Sequence, residues 1–228
     1  MKRPSHYLRK YLYRRKVNIL PEYNGGYAAG GQDIFIAGLF GNKRNGIFVD
    51  IGANDGITIS NTLFFEKELG WTGLAVEPIP STFEKLKQNR GCHTLNACIS
   101  DHDGVAEFLE IEGRAEMLSG LQDKYDEQHK RRIRKTLKRL GGASRTIEVE
   151  CLRFSSAMSR YDIKEIDFLS LDTEGGELDI LKDIEFSNIP VRAISVENNY
   201  FTFDIRDYLQ AFGFNHKGTI GIDEIYMR

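Results

Sequence analysis

An apolar run, Ile47-Phe48-Val49, breaks at Asp50 into Ile51-Gly52-Ala53-Asn54-Asp55-Gly56, and few folds can use such a stretch. Consecutive apolar residues suit a parallel strand buried on both faces, while Gly52 and Gly56, bracketing Asn54, supply backbone angles and close approaches that a Cβ would forbid. The pattern reads as a strand delivering a nucleotide-type ligand to a loop. Residues 57–69 continue as an expected helix ending at Gly70. A second strand over 72–76 ends in Glu77, about 20 residues past the glycine loop, where open α/β sheets place a carboxylate to grip a ribose diol. Two strand ends therefore converge on one ligand.

The nicotinamide fingerprint is G-x-G-x-x-G, whose helix N-terminus meets a pyrophosphate. This chain reads Asp-x-Gly-x-Asn-x-Gly instead. Asp50 and Asp55 would repel a pyrophosphate, yet they complement a ligand carrying an ammonium and a sulfonium. S-adenosylmethionine has those charges. An ordinary strand-turn-helix with acidic caps is the plain alternative for the loop taken alone. A dehydrogenase binding NAD and a catalytically silent binding module are the competing functional readings; the missing G-x-G-x-x-G weighs against the first and the acidic strand ends against the second.

The stretch FVDIGANDGITISNTLFFEKELGWTGLAVEPIPSTFEKLKQN, followed by IDFLSLDTEGGELDIL, resembles the FkbM-type family of S-adenosylmethionine-dependent methyltransferases. The similarity runs from about residue 31 to the C-terminus, with the Asp-Ile-Gly-Ala-Asn, Glu-Pro and Asp-x-Glu-Gly-x-Glu elements in order. It implies an α/β class I methyltransferase (Rossmann-like) fold, and O-methylation of a small-molecule or glycan hydroxyl. Asp50, Gly52, Asn54, Glu77 and Pro78 are the expected cofactor residues, with Gln32 closing over the cofactor from the N-terminal side. Gln32 and Asp33 serve equally to start a helix, and Ser60, Asn61 and Thr62 serve either a cofactor carboxylate or the next helix start.

The rest of the chain alternates. Ser81-Thr82-Phe83-Glu84 reads as a capping box opening a helix that closes near Gly91, and a strand over 93–99 follows. Residues 105–111 read as an added strand and 146–153 as another, leaving an insertion at about 112–145 that contains a helix from near Gln122. The order then resumes with strand 166–171, helix 177–184, strand 191–196, helix 204–212 and a terminal pair over 214–219 and 223–227. A mostly parallel sheet with helices on both faces and an antiparallel C-terminal strand is expected. The division is a basic arm, 1–30, and one domain, 31–228.

Acidic groups follow two later strands. Asp172 and Glu174 come directly after 166–171, and Glu197-Asn198-Asn199 after 191–196, at the strand ends where such sheets bind ligands. Glu174 is the first choice for the base that takes an acceptor's proton, Glu197 the second, and Asp172 completes the catalytic set. Glu177 falls in a first helical turn and suits a cap. Asn198 and Asn199 serve either the site or the capping of the next turn. A divalent metal is the least favoured use of these oxygens, since their spacing matches no closed ligand motif. His93, His102, His129 and His216 are weaker candidates, no two standing at catalytic spacing.

Three cysteines among 228 residues, Cys92, Cys98 and Cys151, have neither disulfide nor metal spacing and favour a reducing compartment. No apolar run reaches the roughly 20 residues of a membrane span, and no signal-peptide core is visible, so the cytoplasm is the expected location. Residues 1–16 carry seven Lys or Arg and no acid, which leaves the remainder at −9 against a formal total of −2. Such an arm suits a membrane surface, a polyanion or an acidic partner; the preferred reading docks Tyr7, Leu8, Tyr11 and Leu12 on the domain. The basic run over 130–139 reads as a solvated helix face, and without aromatic platforms no nucleic-acid partner is expected. Nothing in the chain specifies an oligomeric state.

Overall fold

The computed structural model describes residues 6–113, 115–125 and 127–228. In chain order these form α1 (His6–Arg14), α2 (Gln32–Leu39), β1 (Ile47–Ile51), α3 (Leu63–Leu69), β2 (Thr72–Val76), α4 (Pro80–Asn89), β3 (His93–Leu95), β4 (Cys98–Ser100) and β5 (Gly104–Ile111). There follow β6 (Gly120–Leu121), α5 (Glu127–Leu140), β7 (Ser144–Arg153), α6 (Phe154–Arg160), β8 (Ile166–Leu171) and α7 (Glu177–Asp183). The last elements are β9 (Val191–Glu197), α8 (Asp204–Ala211), β10 (Asn215–Ile220) and β11 (Asp223–Met227).

The main sheet has the order β10-β11-β9-β8-β1-β2-β3. The pairs from β9 through β3 are parallel, and β11 runs antiparallel between β9 and β10. This is the expected architecture. Strand alternation divides the core: Val49, Ile51, Leu169, Leu171, Ile194 and Val196 pack with Phe154, Met158, Ile180, Leu181 and Leu209 on one face. Phe48, Phe168, Ala193 and Ile225 pack with Ile36, Ala37, Phe65 and Trp71 on the other. Burial on both faces explains why β1, β8 and β9 are almost continuously apolar.

Several local expectations are corrected. The helix expected from 57 begins only at Leu63, because the Asp55 carboxylate accepts the amides of Ile57 (2.9 Å) and Thr58 (2.7 Å) in a side-chain-closed turn. Ile59 then takes φ +49° and Ser60 Oγ accepts the amides of Thr62 and Leu63, so the chain restarts as helix there. The capping box does not form; α4 starts at Pro80, whose fixed φ suits a first helical position, without a side-chain cap. The strand expected over 93–99 splits, since Asn96 Nδ2 donates to the carbonyls of Glu77 (2.8 Å) and Pro78 (3.0 Å) and turns the chain. β4 thereby leaves for a second sheet, β4-β7-β5-β6, in which β5 and β7 pair along their length. The helix expected from near Gln122 starts at Glu127, a short 3₁₀ turn occupying Gln122–Lys124. Helix α6 was not expected, although Phe154, Ala157 and Met158, its buried residues, stand at helical spacing.

The arm docks through a different residue. Tyr13 is buried between Phe201 and Phe203, with ring centroids 5.6 and 5.2 Å away, whereas Tyr11 and Leu12 are exposed. The Tyr7 and Leu8 side chains lie outside the described residues. Among the described residues no helix is long and apolar enough to cross a membrane.

Candidate active site

The carboxyl ends of β1, β2 and β8 open into one cavity of about 870 Å³ including its mouth. Gly52 and Asn54 line it from the loop after β1, Glu77 and Pro78 from the loop after β2, and Asp172 and Glu174 from the loop after β8. Val76, Ile79, Ala97, Ile99, Phe108 and Leu121 make its apolar wall. Glu77 is buried and held by the backbone: Oε2 accepts the Asn54 amide (3.1 Å) and Oε1 the Ile79 amide (2.9 Å). Burial pushes its carboxyl up to about 7, with those two amides acting in the opposite direction. Each oxygen accepts one bond and has capacity for another. An apolar slot ending in such a carboxylate fits an adenosine with its ribose diol, so the chemistry of the wall suits S-adenosylmethionine.

Gly52 is required for a reason internal to the chain. Its φ is +87°, and a Cβ there would lie 1.8 Å from the Asp172 carbonyl oxygen. The Asp172 amide in turn donates to the Ile51 carbonyl at 3.0 Å, so the loops after β1 and β8 cross in contact. The expected close approach is thus of chain to chain.

Asp50 is not among the residues lining the cavity. Sharing a face with Phe48, it points toward α3, where Thr62 Oγ1 donates to it at 2.6 Å and Arg90 Nη2 donates to the same Thr62 oxygen at 3.0 Å. Burial raises its carboxyl, and the Arg90 charge opposes the rise. Asn61 turns inward as well, to Ser170 Oγ at 3.1 Å. Gln32 also lies away from the cavity wall; it accepts the Gly30 amide (2.8 Å) and donates to the Asp223 carboxylate.

A second constellation adjoins the first. Glu174, at φ +56° and buried, accepts from Arg132 Nη1 at 2.9 Å and from Asn199 Nδ2 at 3.2 Å. The same Asn199 amide donates to Glu197, and Arg132 reaches the Asn199 carbonyl at 3.2 Å. The two expected carboxylates are therefore brought together across one side chain. A non-glycine residue in the left-handed region is a local strain of the kind that collects at functional sites. Burial lifts Glu174 to about 7 against the pull of Arg132, and burial with the surrounding carboxylates raises Asp172 and Glu197. Glu177 does not cap its helix, as was expected, but ties down the loop before it by accepting from the Thr173 amide and hydroxyl and the Gly175 amide. Asn198 caps the next turn through Thr202 and donates to Glu224 at 2.8 Å, whereas Asn199 donates to Glu174 and Glu197. Among the described residues no group of three His, Cys, Asp or Glu is arranged to hold a metal.

Two positions that the structure brings to this site escaped the sequence. Arg132 belongs to a run read as a solvated face, and one arginine among seven cations carries no mark of its partner. Lys124 lines the cavity from the insertion, paired with Asp101 (3.1 Å) and Asp179 (3.0 Å). His129, one of the weaker catalytic candidates, is buried and stacked on Tyr125 at 4.3 Å.

A parallel sheet with one reversed strand, a glycine loop after β1 and a buried acid after β2 are the features of the class I methyltransferase fold. Residues 50–215 match the family model described as the Methyltransferase FkbM domain, and the chain belongs to that family. It is 28% identical over 162 residues to methyltransferase sdnD of Sordaria araneosa, an alignment covering 62% of this chain and 61% of that one. The chain thus spans less than two thirds of that relative's length. Among solved structures, the N-terminal domain of human METTL16 is similar at a TM-score of 0.47 with 12% identity, covering 100% of this chain and 82% of that one. The precorrin-6y C5,15-methyltransferase of Geobacter metallireducens GS-15 is similar at 0.45 with 8% identity, over 92% and 93%. Likeness at that distance says nothing of the acceptor.

Proposed function

We propose that this methyltransferase transfers its methyl group to a hydroxyl of a sugar, glycan or secondary metabolite. The observation that carries the reading is the pair Glu174 and Glu197, joined through Asn199 beside the cavity that Glu174 itself lines. Bound S-adenosylmethionine supplies an electrophilic methyl on a sulfonium. The cavity's apolar wall takes the adenine and Glu77 takes the ribose diol, with Gly52, Asn54 and Pro78 shaping the turn. Asp50 acts from behind the wall, tying β1 to the start of α3, and Gln32 orients Asp223.

At the acceptor end, the protein's task is to hold a hydroxyl in line at about 3–3.5 Å and keep water out. Glu174, raised to about 7, takes the hydroxyl proton near neutral pH, a match of acidity to task that suits a general base. Asn199 and Arg132 fix its orientation. Glu197 and Asp172 accept hydrogen bonds from further hydroxyls, which is why a polyhydroxylated acceptor fits better than an apolar one. In domain terms, residues 1–30 form a basic arm, 31–228 the catalytic domain, and the insertion at about 112–145 one side of the acceptor opening. The nicotinamide alternative falls with the family membership.

Labelled-methyl transfer from S-adenosylmethionine into fractionated cell extract, followed by characterisation of the labelled product, tests the reading. An O-methyl ether in the carbohydrate or small-metabolite fraction is expected, undiminished by EDTA. Label on nitrogen or carbon, or confined to RNA, would overturn it.

A further inference from the structure

The protein's cationic charge gathers on two helices that share one loop. Residues 17–228 stand at a formal −9 even though α5 alone holds Lys130, Arg131, Arg132, Arg134, Lys135, Lys138 and Arg139. α1 contributes Lys10 and Arg14, with Arg15 and Lys16 directly after it. Tyr13 anchors α1 against Phe201 and Phe203, while Lys10 and Lys16 sit over those two rings at 5.3 and 5.7 Å. On the other side, His129 Nδ1 of α5 lies 3.1 Å from the Tyr200 hydroxyl and Arg132 meets Asn199. The loop gripped by both helices, residues 199–203, is the one that supplies the bridge between Glu174 and Glu197.

We propose that α1 and α5 dock the protein on an anionic lipid surface, so that its acceptor is a hydroxyl carried at that surface, such as a lipid-linked glycan. The acceptor clause rests on the proposed function; the docking does not. Burying Tyr13 and Ile133 turns the remaining faces outward, leaving Tyr11 58% and Leu12 46% exposed beside Arg14 and Arg15, and leaving Arg131, Arg134, Lys135, Lys138 and Arg139 exposed on α5. Arg15 stays against the Tyr11 ring at 5.7 Å. Exposed Tyr and Leu among cations are the composition of an interfacial helix, the tyrosine suited to the headgroup level and the leucine to the acyl boundary. A nucleic acid would instead be met by stacked aromatic platforms, and the exposed residues of α5 contain none.

Co-sedimentation of the full chain with vesicles of phosphatidylcholine, alone or mixed with phosphatidylglycerol, tests the docking. Binding is expected only with phosphatidylglycerol and should weaken as salt rises. Arg14→Gln with Arg15→Gln, or Arg131→Gln with Arg134→Gln, should each weaken partitioning roughly 10- to 30-fold, at about fivefold per cation near the surface. Tyr11→Ser with Leu12→Ser should weaken it about tenfold or more. S-adenosylhomocysteine affinity unchanged in each variant reports an intact fold. Equal binding to both vesicle types, or binding to neither, would overturn the proposal while leaving the methyl-transfer reading untouched. Tight heparin binding that survives Tyr11→Ser with Leu12→Ser, without vesicle binding, would replace the bilayer by a soluble polyanion.

Discussion

Replacing Glu77 with Gln separates the cofactor contact from the fold. In the parent protein the carboxylate accepts the amides of Asn54 and Ile79 and faces the cavity. Gln retains the size and one acceptor but turns an NH₂ toward one of those amides, at a stability cost of about 1–3 kcal/mol for the unpaired donor. Glu77→Ala would unpair both, so Gln is the cleaner probe. Hydrogen bonds from a ribose diol to a charged carboxylate are worth about 1.5–3 kcal/mol, or roughly 10- to 150-fold in affinity. Because the free carboxyl titrates at about 7 and the diol favours its ionised form, parent affinity should fall roughly tenfold from pH about 8 to about 6. The variant should show weaker binding and no such slope. Calorimetric titration with S-adenosylhomocysteine across that range decides it, with thermal unfolding as the control for folding. A folded Glu77→Gln protein with parent affinity, or a parent affinity flat with pH, would refute the assignment.

Gly52→Ala should destabilise the protein by about 1–2 kcal/mol from the left-handed backbone alone, and further because its Cβ meets the Asp172 carbonyl at 1.8 Å; urea denaturation measures this, and an unchanged midpoint would contradict the crossing of the two loops. Asp50→Asn should lower stability and weaken S-adenosylmethionine and S-adenosylhomocysteine equally, since Asp50 faces Thr62 behind the cavity wall; a selective loss of the sulfonium ligand would return Asp50 to the site. Glu77, Glu174 and Glu224 are raised to about 7 and Asp223 to about 6, so the folded state holds more protons than the unfolded one between the ordinary carboxylate range and neutrality. The stability this confers is full below that range and is lost as pH rises through about 6–7, so the melting temperature of the ligand-free protein should drop by roughly 5 °C or more from pH about 5 to about 8.

What could be read from the sequence follows from how local the signal is. The apolar β1, the glycine loop and Glu77 were legible because strand, turn and strand end lie within one short segment, and Glu174 and Glu197 because each stands at or just past the end of an apolar strand. The direction of Asp50 was also available, since Phe48 and Asp50 share a face by strand alternation, but the charge pattern of the loop drew it toward the ligand. Arg132 and Lys124 were not legible. Glu174 stands 42 residues beyond Arg132, and Lys124 pairs with Asp179, 55 residues beyond it, and with Asp101, 23 before it, contacts made as β5 and β7 fold the insertion back over the cavity. Likewise the parting of β3 from β4 depends on two bonds from Asn96 to carbonyls across the chain, which no periodicity announces.

The most direct test is the methyl-transfer rate of a Glu174→Gln enzyme with acceptor and S-adenosylmethionine both saturating. Gln keeps the contacts to Asn199 and Arg132 nearly in shape but cannot take a proton. A fall in turnover of roughly 10²–10⁴-fold with S-adenosylhomocysteine affinity nearly intact is the predicted result. Transfer at the parent rate would contradict the assignment of Glu174 as the base.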